Sequence, residues 1–314
     1  MPVRVIDEWL GTCAGCEMTL LDTGEALLDL LPKIEIVHSP VLMDHKYYPS
    51  WSDGGKPEIP EADLAILSGC VRNEENKIIT QEVRNKAKIL VANGSCACFG
   101  GIPALANMFT REELLDKVYK GVKSTEPGAP PTEHVPQLLD RVYSVDEIVK
   151  VDAFVPGCPT DPGLLVEAVT SFIENKPFIL SDKAVCEDCL LKREKKAMTS
   201  IRRPLQAPES SERCLLEQGF LCLGPATRTG CGGREQPPRC IAGGFPCRGC
   251  FGPLRTGGNQ MVDMMSALST IGLDVKQIPD RLATFNRFTG AKGRLRPSIL
   301  KPKMPRGSHR YVSK

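Results

Sequence analysis

Apolar positions follow two alternating rhythms as far as residue 178, and neither rhythm continues beyond it. A β-branched run at residues 3–6 reads as a strand, and over residues 19–31 apolar side chains return at helical spacing. Further strands are expected at 34–38, 62–69, 88–93 and 151–155; the third is a continuous apolar run of the kind buried on both faces. Between them the pattern predicts a polar helix ending near residue 85, a helical stretch at 111–121 and a helix at 163–174. Residues 39–60 hold Pro40, Pro49, Gly54, Gly55, Pro57 and Pro60, an irregular excursion long enough to suggest function or an interface. Pro127, Pro130, Pro131 and Pro136 stiffen a second surface segment.

Strands alternating with helices predict an α/β fold, a doubly wound parallel sheet with right-handed crossovers. The expected architecture is flavodoxin-like over residues 1–178. From residue 182 periodicity fades, and eight cysteines fall between Cys186 and Cys250 among glycines and prolines. Apolar side chains there look too irregular to build a core by burial alone, so metal is expected to cross-link an irregular, cysteine-rich domain over 179–272. A helix is expected at 261–271, and an extended basic C-terminal segment over 273–314.

A length of 314 residues suits two domains, and 41% apolar residues suffice for an ordinary core. Lys and Arg number 40 against 38 Asp and Glu, a net +2 that points to neither a nucleic-acid nor a membrane partner. The tail is uneven: residues 292–314 carry eight basic residues and no carboxylate, leaving 32 basic against 38 acidic before it. With no apolar leader, no twin-arginine leader and no 18-residue apolar run, the chain is expected to be soluble and cytoplasmic. In such a compartment fourteen cysteines read as metal ligands and not as disulfides.

The cysteines of the first domain share one feature. Cys13 and Cys16 follow the first strand, Cys70 the third, Cys96 and Cys98 the fourth, and Cys158 the fifth. All therefore lie at the carboxyl edge of a parallel sheet, where ligands bind. Four thiolates meeting there suit a 4Fe-4S cluster or a zinc ion, and six candidates compete for four places. The glycine-rich turn at 94–101 offers amides to the sulfurs; Gly157 and Pro159 fix Cys158 on both sides; Cys70 reads as a small buried hydrophobe at least as readily as a ligand. Downstream, Cys186, Cys189, Cys214, Cys222, Cys231, Cys240, Cys247 and Cys250 provide for two further sites of four thiolates. Their two C-x-x-C pairs stand roughly 60 residues apart, not the 15 to 20 of a zinc ribbon, and the bacterial ferredoxin run is absent. Spacing alone thus favours iron-sulfur electron transfer only moderately and leaves structural zinc open.

Taken together, Cys13-x-x-Cys16, the run Gly94, Ser95, Cys96, Ala97, Gly100, Gly101, the triplet Gly157, Cys158, Pro159, and Gly224, Pro225, Ala226, Thr227 leading to Cys231 resemble the small subunit of nickel-iron hydrogenases. Glu8, Trp9 and Leu10, then Met43, Asp44, His45 and Lys46, Val71 to Glu75, and the run from Gly101 to Asn107 look most like the cytoplasmic methyl-viologen-reducing, coenzyme F420-non-reducing type of methanogens and their relatives. The resemblance spans about residues 3–258.

What the resemblance implies is a relay of three 4Fe-4S clusters. The proximal cluster would be held by Cys13, Cys16, Cys96 and Cys158, the distal by Cys186, Cys189, Cys214 and Cys222, and the medial by Cys231, Cys240, Cys247 and Cys250. The periplasmic uptake branch has histidine where this chain has Cys186 and proline where it has Cys240. Thiolates leave more negative charge on a cluster than imidazole does, so low potentials are implied. Cys70 and Cys98 are expected not to be ligands. The implied partners are a nickel-iron large subunit holding the active site, an electron-accepting iron-sulfur subunit, and heterodisulfide reductase. No catalytic residue is expected in this chain.

Two rivals stand beside this reading. A complex-I-like cluster subunit would need adjacent cysteines after the first strand and no cysteine-rich second region; a zinc-stabilised interaction module would need zinc in place of iron. His38, His45, His134 and His309 are too scattered for a histidine-based site and read as surface or supporting residues. Met261, Met264 and Met265 read as a buried helix face, Trp9 and Trp51 as core packing, and the run from Lys192 to Lys196 as a solvated face. Glu17 and Asp22 suit a proton relay no better than they suit capping and solvation of the first helix.

Overall fold

The computed structural model describes residues 2–44, 46–48, 57–124, 126–203, 205–234 and 236–297. In chain order the elements are β1 (Val3–Trp9), α1 (Gly15–Leu21), α2 (Glu25–Leu30), β2 (Ile34–His38), β3 (Ala62–Ser68), β4 (Val71–Asn73), α3 (Glu74–Lys86), β5 (Ala87–Asn93), α4 (Gly94–Phe99), α5 (Arg111–Lys120), β6 (Leu138–Tyr143), β7 (Ala153–Val155), α6 (Pro162–Ile173), α7 (Arg239–Ala242), α8 (Gln260–Thr270) and α9 (Arg281–Phe285).

Five strands pair in parallel in the order β2-β1-β3-β5-β7. This is the expected doubly wound sheet. Side chains alternate across it, as the pleat requires. Ala65 and Leu67 join Ile6, Leu90, and Ile79 and Val83 of α3 on one face. Leu64 and Ile66 join Val5, Val91, Val155, and Leu164 and Leu165 of α6 on the other.

Several expectations need correction. The helix over 19–31 is two helices, α1 and α2, broken at Asp22, Thr23 and Gly24. The glycine-rich turn is itself the short helix α4. Strands β4 and β6 form an antiparallel pair that the apolar pattern did not signal.

The cysteine-rich region does have a core. Val185, Met198, Leu215, Phe220, Met264 and Leu268 bury together, with Met261 and Met265 packed against them. These residues come from turns and from α8, so no single stretch shows their periodicity. Residues 273–297 are not an extended segment. Leu273, Ile278 and Phe285 enter that same core, Ala291 packs beside Cys70 and Ala104, and Lys292 Nζ pairs with Asp146 at 2.5 Å. The helical turn at Val275–Gln277 and α9 are too short to print a period, and beyond them Lys292 and Arg294 find a carboxylate and a carbonyl partner. Residues 298–314, the remainder of the expected tail, lie outside the described residues, as do Trp51, His45 and much of the 39–60 excursion.

Candidate metal centre

Each loop at the carboxyl edge is held by side-chain hydrogen bonds that run from strand to strand. Asn93 at the end of β5 donates Nδ2 to Ser68 Oγ (3.3 Å) and accepts Thr160 Oγ1 (2.8 Å). Thr19 in α1 donates to the Thr160 carbonyl (3.1 Å). The turns after β1, β3, β5 and β7 are thereby fixed against one another. They bring Cys13, Cys16, Cys96 and Cys158 to one place.

Two glycines make the approach of the sulfurs possible. A Cβ on Gly94, which has φ +80°, would collide with Cys16 Sγ, and one on Gly101, with φ +57°, would collide with Cys96 Sγ. Both backbones occupy the left-handed region that side chains resist. Space and conformation therefore select glycine at both.

The thiols feel one another. Burial pushes Cys16 up to about 12, with Glu17 adding to it and Cys158 and Cys13 contributing beyond that. Burial likewise raises Cys96, followed by the neighbouring Cys70, Cys158, Cys16 and Cys13. A crowded group of thiols opposes its own ionisation unless a positive centre offsets the charge. The donor set fits a thiolate-bound metal group. Cys13 and Cys158 are exposed, Cys16 is buried and Cys96 half-buried.

The second region repeats the arrangement without a sheet. Cys186, Cys189, Cys214 and Cys222 line one cavity of about 170 Å³, with Gly224 and Arg193 in its wall. Cys231, Cys240, Cys247 and Cys250 form the other group. Burial pushes Cys250 up to about 12, with the neighbouring sulfurs of Cys231, Cys240 and Cys158 adding to it. Burial also raises Cys247, beside Cys250 and Cys231.

Contacts between groups put them in a row. Cys250 senses Cys158 of the sheet-edge group, and Ser95 Oγ donates to the Cys250 carbonyl at 2.5 Å. Cys247 N–H donates to Cys222 Sγ at 3.2 Å. The order in space is sheet edge, then the Cys231 to Cys250 group, then the Cys186 to Cys222 group. Asp161, which caps α6 through Leu164 N–H (3.0 Å), also accepts Arg239 Nη2 (2.6 Å) from α7. Gln260 of α8 donates to Thr227 Oγ1 and to the Gly249 carbonyl, so the two cysteine-bearing loops are strapped together.

Among the described residues no three His, Cys, Asp or Glu side chains gather closely enough to hold a single metal ion.

Cys70 lies beside Cys96, and Cys98 lies within the sheet core. Both are buried; Cys70 Sγ donates to the Gly11 carbonyl (3.1 Å) and Cys98 Sγ to the Ala92 carbonyl (3.3 Å). Trp9 is 42% exposed and not packed in the core. Sequence reasoning missed a buried polar cluster behind the sheet edge. Glu8 is 1% exposed, bonded to His38 Nε2 and to Tyr47 Oη at 2.8 Å each. Beside it Asp7 is pushed up to about 6 by burial and by Glu17. A run of acidic residues inside an otherwise apolar strand was the available signal. Among the described residues no helix is long and apolar enough to cross a membrane.

Residues 13–172 match the family described as NADH ubiquinone oxidoreductase, 20 Kd subunit. Over its length the chain is similar to a subunit of the vhu F420-non-reducing hydrogenase of Methanocaldococcus jannaschii, 37% identical over 278 residues, covering 88% of this chain and 91% of the relative. It is similar also to a subunit of the F420-non-reducing hydrogenase of Methanothermobacter thermautotrophicus, 34% identical over 304 residues, covering 91% and 94%. Among solved structures it is similar to a chain of an NAD+-reducing [NiFe]-hydrogenase in the H2-reduced state, with a TM-score of 0.52 and 32% identity, covering 58% of this chain and 96% of that one. Both methanogen relatives extend through the cysteine-rich region, which the family model does not reach. The chain therefore belongs to the NADH ubiquinone oxidoreductase 20 Kd subunit family, as a hydrogenase small subunit akin to those of the F420-non-reducing hydrogenases.

Proposed function

We propose that this chain is the electron-transfer subunit of a cytoplasmic nickel-iron hydrogenase, with three four-iron binding sites in a row. The observation that carries the reading is the spatial order of its three thiol groups, linked through Ser95, Cys158 and Cys250 at one junction and Cys222 and Cys247 at the other. Cys13, Cys16, Cys96 and Cys158 hold the proximal group, Cys231, Cys240, Cys247 and Cys250 the medial, and Cys186, Cys189, Cys214 and Cys222 the distal. Bound there, 4Fe-4S clusters supply one-electron relay at potentials tuned by charge and by hydrogen bonds to sulfur. The residues supply ligation, clearance at Gly94 and Gly101, and a fixed spacing.

The hydrogen-splitting site lies in a partner large subunit. That partner docks where Cys13 and Cys158 reach the surface among the exposed apolar side chains Trp9, Met18 and Leu21. Such a concentration of large apolar groups marks an interface. Electrons leave past the Cys186 to Cys222 group, beside the exposed Leu190, to an iron-sulfur acceptor subunit and on to heterodisulfide reductase.

Purification of the intact complex, with metal analysis and identification of every co-eluting chain, tests this. About twelve irons on this subunit are expected, together with a large subunit, an acceptor and heterodisulfide reductase. Zinc in place of iron, or hydrogen oxidation by this chain alone, would overturn it.

A further inference from the structure

Arg193 stands on the wall between two spaces. Inside is the cavity of about 170 Å³ lined by Cys186, Cys189, Cys214 and Cys222. Outside is an open groove of about 490 Å³, lined in part by Lys195, Lys196 and Glu217. Arg193, Cys214, Leu216 and Pro225 line both, and of these four Arg193 carries the charge.

Its position is set by the loop that bears it. Glu217 accepts the backbone N–H groups of Glu194 (2.8 Å) and Lys195 (3.0 Å). On the other side Cys214 N–H donates to the Lys192 carbonyl at 2.8 Å, and Lys192 N–H to that of Glu212 at 2.8 Å. The backbone is thus pinned both before and after Arg193. Its side chain lines the same cavity as Cys186 and Cys214, and its positive charge acts on both sulfurs. Lys196, three residues along, instead pairs with Glu194 at 2.5 Å in the open.

We propose that Arg193 is a positioning residue at the electron exit, setting the potential of the iron-sulfur group held by Cys186, Cys189, Cys214 and Cys222. The inference rests on the reading of those four as ligands. A cluster held there would gain negative charge on reduction, and a permanent cation on the cavity wall would favour that reduced form. Arg193 is exposed overall while lining the cavity, so solvent screens the charge and the effect is of the order of tenfold. The consequence is local: the potential of this group is raised above the value it would have without Arg193.

The test is a redox titration of the intact complex followed by electron paramagnetic resonance, with iron counted on every variant. The distal step is identified as the one altered by Cys214→Ser. Arg193→Met should shift the electron-sharing equilibrium of that step about tenfold toward oxidation, a fall of about 59 mV for one electron. Arg193→Lys should restore most of the potential, and Lys195→Gln should leave it in place. If Arg193→Met does not load iron, Arg193→Gln carries the same expected shift. An unmoved distal step in the loaded Arg193 variant, or an equal shift in Lys195→Gln, overturns the proposal while leaving the ligand assignment intact. Failure of Cys214→Ser to alter any step overturns the assignment itself.

Discussion

The two halves of this chain solve one problem by different means. In the sheet half, five parallel strands bury apolar residues on both faces, and Cys13, Cys16, Cys96 and Cys158 stand outside those two clusters, although Cys98 lies within one. In the second half, Cys222 and Cys247 are themselves members of the buried core, with Cys189 and Cys214 packed against it. Where ligands double as core, the bound group and the fold depend on each other. Where ligands edge a core, the fold stands first.

Removing iron from the complex under reducing conditions should separate the halves most sharply. Amides in residues 182–258 should lose hydrogen-exchange protection, while β1, β3 and β5 keep theirs. Equal loss in both halves would erase the distinction. Phe285→Ala comes next. Phe285 is 1% exposed, and truncating a buried phenylalanine costs about 3–5 kcal/mol. The loss should appear as a lower denaturation midpoint for the second half alone, and an unchanged midpoint would return residues 273–297 to the status of a tail.

Cys240→Pro probes the ligand set with little damage to the fold. Residue 240 is second in α7, within the first turn, where proline is tolerated because the N–H has no helical partner. A three-iron signal in the oxidised protein is expected, and an unchanged four-iron spectrum would show that another group holds the fourth iron. The smallest effect concerns Asp7. Its carboxyl is raised from 3.8 to about 6 in the folded chain, so the folded state binds its proton more tightly than the unfolded state does. Stability from this group is complete below about pH 4, declines as pH rises toward 6, and is absent above that. Asp7→Asn should therefore stabilise the protein by about 1–3 kcal/mol at pH 7 and by little at pH 4. Thermal midpoints at the two pH values decide it, and an equal difference at both would refute the titration account.

The same contrast explains what could be read from the residues. Strands β1, β2, β3, β5 and β7 each carry enough consecutive or alternating apolar positions to declare themselves, and their order, β2-β1-β3-β5-β7, is the flavodoxin-like one. The gathering of Cys13, Cys16, Cys70, Cys96, Cys98 and Cys158 at one edge then followed from topology, and resemblance alone chose four of the six. The core around Met264, Leu268 and Phe285 was illegible because its members come from turns and short helices that share no period. Spacing was equally silent on which of the eight later cysteines pair with which. Resemblance suggested a grouping, and the cavity bounded by Cys186, Cys189, Cys214 and Cys222 matches one of its sets. Arg193 read as part of a solvated face because the sequence does not reveal which member of a basic run turns inward.

Ser95 carries one further consequence. Its N–H and its hydroxyl both reach the Gly157 carbonyl, at 2.7 and 2.8 Å, while the hydroxyl lies 2.5 Å from the Cys250 carbonyl. A hydroxyl has one proton to give, and with the N–H already serving Gly157 it is free for Cys250. One small residue therefore acts as a gauge block between the sheet edge and the neighbouring cysteine loop. Tunnelling falls off exponentially with separation, so in the proposed relay a joint made of two short hydrogen bonds, and not of a flexible side chain, would keep the hopping rate insensitive to thermal breathing of the halves it connects.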